Sequence, residues 1–361
     1  MSLTLTVDGE RWRQHLLDTA RNTPGLVPVA KGNGYGFGVG RLARRAEWLD
    51  ERLGGEGARL DVLAVGTYDE LRQVADRCSA DLLVLTPWRP HVEPVADRAL
   101  ARRTIHTVSR PDDLVGLRER DPRARFVLEQ LTSMRRHGMT RVELERAVQQ
   151  LSPDGKRVDG LEGVAMHLPL GVSSHLAEVT RLINDLIAAG VPTRTVFVSH
   201  LTPDELTRLR TSHPDFTIRP RVGTALWLGD RGALRVTATV LDVHEVEKGD
   251  VFGYRGRTAP KHGHVVVVSG GTANGIGLEA PTGDQSLKSR AATLARGGLD
   301  AMGFVRSPFS IDGKLRLFGE PPHMQASMLF VPNGARVPAV GEEVDVRVRY
   351  TATAFDRVVI S

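Results

Sequence analysis

The sequence of 361 residues predicts an α/β barrel of the TIM type, (β/α)8, followed by a C-terminal all-β domain. Eight short apolar runs between residues 26 and 221 alternate with helix patterns, which is typical of this barrel. After about residue 230, alternating apolar positions with Gly and Pro turns replace the helix patterns. We therefore expect domains at 1–230 and 231–361, with the strand at residues 3–7 as a candidate member of the second. A doubly wound sheet is the main alternative on this pattern alone.

The elements of the first domain follow from local signals. Capping boxes at Thr67–Glu70, Thr140–Glu143 and Thr202–Glu205 predict three helix starts. The helix after Thr67 is expected to carry Cys78 on its apolar face. Residues 281–313 are less regular, and we expect an insertion with a short helix there. The apolar runs that predict barrel strands lie at residues 26–30, 60–65, 82–85, 104–108, 126–129, 161–167, 195–199 and 216–221.

Composition narrows the class of protein. The net charge is only +5 and the arginines are spread along helices, so no nucleic-acid partner is expected. The single cysteine excludes an intramolecular disulfide and fits a reducing compartment. No apolar run approaches the roughly 20 residues that span a bilayer. The first eight residues have neither a basic nor an apolar block of a secretion signal, so we expect no membrane and a cytoplasmic location.

Lys31 ends the first apolar run of the barrel and is followed by glycine at every second position to Gly38. The carboxyl ends of strands are where α/β barrels place their chemistry. Alternate glycines allow close approach of the backbone to a ligand. This is not a phosphate-binding P-loop, because the lysine precedes the glycines. A desolvated lysine can form a Schiff base, although a surface lysine before a flexible turn is the simpler interpretation.

The string from Lys31, Lys-Gly-Asn-Gly-Tyr-Gly-Phe-Gly, resembles the lysine motif Lys-Ala-Asn-Ala-Tyr-Gly-His-Gly of alanine racemases. A barrel followed by a β domain is also the order of domains in that family. The resemblance implies that pyridoxal 5′-phosphate is the cofactor and Lys31 its attachment point. It also implies that Tyr35 contacts the cofactor.

Three further residues of the barrel match family positions in the correct order. The segment Thr132-Ser-Met-Arg-Arg-His-Gly138 resembles the family's Thr-Gly-Met-x-Arg-x-Gly loop. It implies that Arg136 meets the cofactor's phenolic oxygen and the substrate carboxylate. His167 resembles the histidine near the pyridine ring, and Thr202 matches a phosphate-binding hydroxyl. Taken alone, these residues would be a surface arginine, a core histidine and a helix cap.

The segment Arg221-Val-Gly-Thr-Ala-Leu-Trp resembles the family's Arg-x-Gly-x-x-Leu-Tyr. It implies that Arg221 lies beside the pyridine nitrogen and that Gly223 and Thr224 offer backbone N–H groups to phosphate. A cationic arginine disfavours protonation of that nitrogen. It thereby limits the ring's capacity as an electron sink and favours racemisation over transamination.

Glu129 departs from a frequent family pattern. Seven residues before the arginine, many members carry a lysine that becomes carbamylated, and its negative charge orients the arginine. Here the carboxylate is encoded directly. Our hypothesis is that Glu129 replaces the modified lysine, the alternative being an ordinary charged end of a strand.

The β domain supplies further matches. The segment Gly249-Asp-Val-Phe-Gly-Tyr-Arg-Gly resembles the one that carries the family's acid/base tyrosine, here Tyr254. Ala273-Asn-Gly follows where the family has Ala-Asp-Gly. The run Pro-Pro-His-Met-Gln-Ala-Ser-Met resembles the family's Met-Asp-Gln-x-Met, which implies that Met324 offers a backbone N–H to the substrate carboxylate.

Racemisation needs two bases on opposite faces of the α-carbon. Lys31 would serve one face and Tyr254 the other. In the family that tyrosine comes from a partner chain, so the resemblance implies a homodimer with a small-molecule amino acid as substrate.

Three departures mark this chain as an atypical member. Thr272 stands where the family has an entrance tyrosine, and Gln325 replaces an acidic residue after Met324. Val348 lies near the place of a phosphate-binding tyrosine, and Tyr350 is two residues away. The first two changes predict a wider entrance and a substrate of alanine's size or somewhat larger.

Other functions stay open at this point. A pyridoxal-phosphate-dependent amino-acid decarboxylase of related fold would use the same lysine. A non-catalytic, cofactor-binding or regulatory descendant of a racemase is the second alternative. A metal enzyme is a third, because His262 and His264 form a His-x-His pair, but no nearby ligand completes a convincing site, so no metal is expected.

Overall fold

Eight parallel strands close into a barrel in the order of the sequence. The computed structural model describes residues 2–55, 59–151, 158–171, 173–278 and 305–361. The prediction of a TIM-type barrel is confirmed, and the doubly wound alternative is wrong because the first and last strands of the set pair with each other. The barrel strands are β2 (Val27–Ala30), β3 (Val62–Val65), β4 (Asp81–Val84), β5 (Thr104–Val108), β6 (Arg125–Gln130), β7 (Leu161–Met166), β8 (Thr195–Ser199) and β9 (Thr217–Val222).

Both faces of the barrel strands are apolar, which explains why the strands read as continuous apolar runs. One buried cluster takes residues from the strands alone, including Val29, Ala64 and Phe197, and fills the barrel interior. A second cluster combines the opposite strand face with helix residues such as Leu144 and Leu182. The alternation of strand side chains therefore divides the core into an inner and an outer layer.

Helical segments follow the three capping boxes that the sequence predicts, whereas α4 (Arg98–Arg103) and α9 (Thr224–Leu228) were not predicted. In the described residues no helix combines the length and apolar character that crossing a bilayer requires. One prediction differs, because the helix after β3 ends at Val74 and Cys78 lies beyond a short 3-10 turn in extended conformation. Cys78 is nevertheless buried, and burial raises the pKa of its thiol. The helices are α1 (Gly9–Arg21), α2 (Val39–Gly54), α3 (Leu71–Val74), α4 (Arg98–Arg103), α5 (Pro111–Arg120), α6 (Arg141–Leu151), α7 (Leu176–Ala188), α8 (Pro203–Ser212) and α9 (Thr224–Leu228).

A sheet of eight described strands, antiparallel except at one edge, builds the β domain. The N-terminal strand β1 (Leu3–Val7) pairs antiparallel with β10 (Leu234–Val246) and parallel with β18 (Arg357–Ile360). Residues 279–304, which hold most of the insertion predicted at 281–313, lie outside the described residues. The end of that range differs from the prediction, because β14 (Arg306–Ile311) pairs with two neighbours in the sheet. The sheet contains β1 (Leu3–Val7), β10 (Leu234–Val246), β13 (Gly263–Ser269), β14 (Arg306–Ile311), β15 (Lys314–Phe318), β16 (Ala326–Pro332), β17 (Glu343–Val346) and β18 (Arg357–Ile360), with β11 (Val251–Phe252) and β12 (Arg257–Thr258) as a separate ribbon.

The chain divides into two compact units by its own contacts. The barrel unit holds residues 13–34 and 38–229. The β unit holds residues 1–12, 35–37 and 230–361. Tyr35 therefore belongs to the β unit, although it lies in the lysine motif.

Candidate functional site

The barrel residues singled out by the sequence all follow, or end, a barrel strand. Parallel strands present their carboxyl ends at one end of a barrel, so these side chains converge there. These side chains also interact electrostatically. The charges of Arg136 and Arg221 lower the pKa of Lys31, and all three charges lower the pKa of His167. The residues are Lys31 after β2, Arg136 after β6, His167 after β7, Thr202 after β8, and Arg221, Gly223 and Thr224 at the end of β9.

The surroundings of the Lys31 amine favour its neutral form. Lys31 stays solvent-accessible, but its surroundings desolvate the amine in part, and this lowers its pKa. The positive charges of Arg136 and Arg221 lower the pKa further, and Glu70 opposes them. A larger neutral fraction near neutral pH makes the amine a better nucleophile and base.

Glu70 ties the turn that carries Lys31 to the neighbouring strand end. Its buried carboxylate accepts the N–H of Gly32 at 2.7 Å through Oε1 and the N–H of Gly66 at 2.6 Å through Oε2. A Cβ on Gly66 would lie 3.0 Å from Lys31 Cβ, so the two turns pack in direct contact. The sequence pattern predicts only a capping box for Glu70, and that box is present. Its contact with Gly32 crosses 38 residues and gives no local signal.

Arg221 and Glu129 form the buried charged centre of this end of the barrel. Arg221 Nη2 donates to the carbonyl of Met166 at 3.0 Å. Among the described residues, Arg221 Nε and Glu129 Oε2 are buried without a hydrogen-bond partner. Desolvation lowers the pKa of Arg221 to about 10, opposed by Glu129, which leaves the guanidinium charged at neutral pH. Burial raises the pKa of Glu129, and Arg221 opposes that shift more strongly than Arg136 does.

His167 is held as a neutral ring. Its Nδ1 shares a hydrogen bond of 3.0 Å with Ser199 Oγ, and its ring meets that of His200 edge-on with centroids 5.4 Å apart. Desolvation, together with the charges of Arg221 and Arg136, lowers the pKa of His167 to about 3. His200 was missed by sequence analysis, and it adopts a φ of 60°, an uncommon conformation for a residue other than glycine. Its place after β8 is the signal that could have identified it.

Thr202 caps α8, as the sequence predicts. Its Oγ1 accepts the N–H of Glu205 at 3.3 Å, and the Glu205 carboxylate accepts the N–H of Thr202 at 2.8 Å. The same carboxylate accepts the N–H of His175 at 2.8 Å and so links the segments after β7 and β8. Although burial opposes it, hydrogen bonds from Ser174, Thr202 and His175 lower the pKa of Glu205 to about 2. Phosphate binding by Thr202 stays a prediction.

Arg136 and the start of α9 present polar groups to solvent. Arg136 is exposed in a loop fixed by Thr132, whose hydroxyl donates to the carbonyl of His167 at 2.6 Å. Gly223 caps α9, which begins at the exposed Thr224. The first N–H groups of a helix have no partner within the helix, so this terminus can receive an anion.

Four of the predicted residues of the β unit line one surface cavity of about 650 Å³. Tyr254 and Met324 are exposed there, at 88% and 73% of their surface, and Thr272 and Gln325 line the same cavity. Tyr350 is half-buried, and the Arg231 guanidinium lies 4.7 Å from its ring centre.

Two other predicted residues of the β unit, Tyr35 and His262, are not among the residues that line this cavity. Tyr35 is buried and adopts a φ of 55°. His262 Nδ1 lies 3.0 Å from Glu247 Oε1. In the described parts of the chain no group of three or more His, Cys, Asp or Glu side chains could hold a metal ion.

The chain matches the protein family described as "Alanine racemase, N-terminal domain" over residues 7–230. It is similar to the solved structure of alanine racemase from Bartonella henselae with covalently bound pyridoxal phosphate, at 16% identity, full coverage of both chains and a TM-score of 0.70. It is also similar to alanine racemase from E. faecalis, at 17% identity, 99% and 98% coverage and a TM-score of 0.67. A histidine racemase from Leuconostoc mesenteroides subsp. sake gives 17% identity, 99% and 98% coverage and a TM-score of 0.65. The comparison with curated protein sequences gave no match.

Glu70→Ala should loosen the Lys31 turn without unfolding the barrel. The variant leaves the N–H groups of Gly32 and Gly66 without their acceptor, so we expect faster hydrogen exchange in peptides that cover both glycines. Mass spectrometry of deuterated protein measures this. Glu143→Ala, which removes the capping carboxylate of α6, is the control and should affect only residues near Thr140. Equal exchange at Gly32 in the Glu70 variant and the wild type would contradict the assignment.

His167 should not titrate between pH 5 and 8, because its pKa lies near 3. In the unfolded chain His167 takes up a proton near pH 6.5, whereas in the folded protein it does so only near pH 3. Its contribution therefore lowers the free energy of unfolding as the pH falls below about 6.5. NMR of the histidine rings, with His167→Gln to assign the signal, measures the titration. Urea unfolding at pH 8 and pH 5 should show a smaller loss of stability for His167→Gln than for the wild type. A titration midpoint near 6.5 would refute the neutral ring.

Proposed function

Because the chain belongs to the alanine racemase family, we propose that it is a pyridoxal-phosphate-dependent amino-acid racemase that uses Lys31 and Tyr254 as its two bases. The observation that carries this proposal is the setting of Lys31. Its amine stands at the carboxyl end of a barrel strand, and desolvation and two arginines lower its pKa. Both features suit a lysine that binds a carbonyl group and then exchanges protons.

The barrel residues fit pyridoxal phosphate. Arg221 has a buried Nε without a partner among the described residues, which suits an acceptor such as a ring nitrogen. His167 offers a neutral ring, and the starts of α8 and α9 at Thr202 and Gly223 suit a phosphate group. When bound, this cofactor withdraws electrons from the substrate's α-carbon and makes its proton removable. In this proposal Lys31 attaches the cofactor, Arg136 binds its phenolic oxygen and the substrate carboxylate, and Thr202, Gly223 and Thr224 bind its phosphate. A contact between Tyr35 and the cofactor stays a prediction of the resemblance.

Arg221 selects the reaction outcome. With a pKa near 10 the guanidinium keeps its charge, so it cannot accept a proton from a neighbouring group. Its positive charge would disfavour a proton on a ring nitrogen bound beside it. Return of a proton to the α-carbon is then favoured over side reactions.

Each base is assigned one face of the α-carbon. Lys31 exchanges a proton on one face through its amine, whose pKa desolvation lowers. Tyr254, which is exposed on the β unit, exchanges a proton on the opposite face through its phenolic oxygen. We propose that Tyr254 reaches the site of a second copy of the chain, so that a homodimer is the active form.

The β-unit cavity bears on the choice of substrate. Thr272 and Gln325 line it where the family has a tyrosine and an acid. The cavity wall therefore carries a smaller side chain at Thr272 and an uncharged one at Gln325. Met324 would offer its N–H to the substrate carboxylate. We propose alanine or a somewhat larger amino acid as the substrate.

The single, buried cysteine fits a cytoplasmic location.

Racemisation should depend on both bases. Incubation with pyridoxal phosphate and a panel of L- and D-amino acids in deuterated water should give α-proton exchange with loss of chirality, measured by mass spectrometry and chiral chromatography. Lys31→Ala should abolish exchange of either enantiomer, and Tyr254→Phe should slow racemisation at least about a hundredfold, because one face loses its base. Release of carbon dioxide would instead identify a decarboxylase. Cofactor absorbance without exchange of any amino acid would identify a binding protein.

Glu129→Gln should impair the function of Arg136 and Arg221. The change removes the buried carboxylate that acts electrostatically on Arg221 and Arg136, and an interaction worth one pKa unit corresponds to about 1.4 kcal/mol. We therefore expect kcat/KM to fall about tenfold or more. Glu162→Gln is the control, since Glu162 pairs with Arg125 near the beginning of β7. Unchanged activity in the Glu129 variant would show that this carboxylate is only an ordinary end of a strand.

A further inference from the structure

A single buried carboxylate fixes the turn that carries Tyr254. Glu320 is only 3% exposed, and it accepts the N–H of Tyr254 at 3.2 Å and the N–H of Arg255 at 3.3 Å. Gly253 makes this approach possible, because a Cβ there would lie 2.3 Å from the Glu320 carboxyl carbon. The backbone of the turn is therefore defined by a residue 66 positions away in sequence.

The same carboxylate also holds an imidazole against the tyrosine ring. His323 Nε2 lies 2.5 Å from Glu320 Oε1, and its ring centre lies 4.6 Å from that of Tyr254, with the planes tilted by 51°. Tyr254 is otherwise open to solvent. An exposed tyrosine samples several rotamers, and a fixed aromatic neighbour favours those that retain the ring contact.

We propose that Glu320 and His323 are positioning residues that set the direction of the Tyr254 phenol for its proton transfers. This inference rests on the proposed function, in which Tyr254 is the second base. Glu320 fixes the backbone of the turn and the imidazole of His323. His323 in turn fixes the phenol ring. The Lys31 side of the reaction does not depend on this pair, since Lys31 has its own buried carboxylate, Glu70.

A measurement without substrate tests the contact. The chain has four tyrosines, so protein labelled with 3-fluorotyrosine should give four fluorine NMR signals, and Tyr254→Phe identifies the one from Tyr254. His323→Ala should move that signal towards the position of free fluorotyrosine, because the ring neighbour is gone. His262→Ala is the control, since it breaks another histidine–glutamate pair in the β unit. An unmoved Tyr254 signal in His323→Ala would overturn the proposal.

A kinetic measurement tests the consequence. In deuterated water, His323→Ala should lower α-proton exchange at least about tenfold for the enantiomer whose proton faces Tyr254, through kcat with little change in KM. Exchange of the other enantiomer, whose proton faces Lys31, should stay within about twofold. His323→Phe, which restores a ring beside the phenol, should recover part of the loss. Equal losses for both enantiomers, or no recovery with phenylalanine, would refute positioning by His323.

The two measurements separate this inference from the function on which it rests. If the wild-type protein exchanges no amino acid, the proposed function fails, and the fluorine signal alone decides whether His323 orients Tyr254. If the wild type racemises and His323→Ala matches it for both enantiomers, the function stands and the positioning role fails.

Discussion

Buried carboxylates that accept main-chain N–H groups hold the segments on which the proposed chemistry depends. Glu70 fixes the turn of Lys31, Glu205 fixes the start of α8, and Glu320 fixes the turn of Tyr254. A charged acceptor forms stronger hydrogen bonds than a neutral one, and its burial excludes competing water. The barrel strands supply the directions in which side chains point. Glu70 and Glu205 define loops between barrel strands and helices, and Glu320 defines the turn between β11 and β12.

The second constraint is an excess of positive charge at the carboxyl end of the barrel. Arg221, Arg136 and Lys31 interact with one another, and Glu129 is the buried carboxylate that acts on both arginines. Desolvation lowers the pKa values of the Lys31 amine and of His167, and this field lowers both further. It also favours ligands that bring negative charge, as a phosphate ester and an amino-acid carboxylate do. The same charges therefore contribute to the lowered pKa of the lysine and suit the anionic ligands of the proposed function.

The barrel could be predicted because buried parallel strands and capping boxes leave local patterns, such as Thr202 with Glu205. Residues at strand ends, such as Lys31 and Arg221, were identifiable since a barrel gathers those ends. The contacts of Glu70 and Glu320 were not predictable, because they cross 38 and 66 residues and depend on how loops pack. For the same reason, local patterns cannot show which strands β1 pairs with, since its partners in β10 and β18 lie far along the chain.

The central claim is that Lys31 alone carries the cofactor. Incubation with pyridoxal phosphate, reduction with borohydride and peptide mass spectrometry test it directly, because reduction fixes the cofactor on the amine that holds it. The account predicts a phosphopyridoxyl group on the Lys31 peptide at one per chain. Exposed lysines such as Lys248, Lys261 and Lys314 should stay unlabelled at stoichiometric cofactor. Labelling spread over those surface lysines, with none enriched at Lys31, would contradict the account.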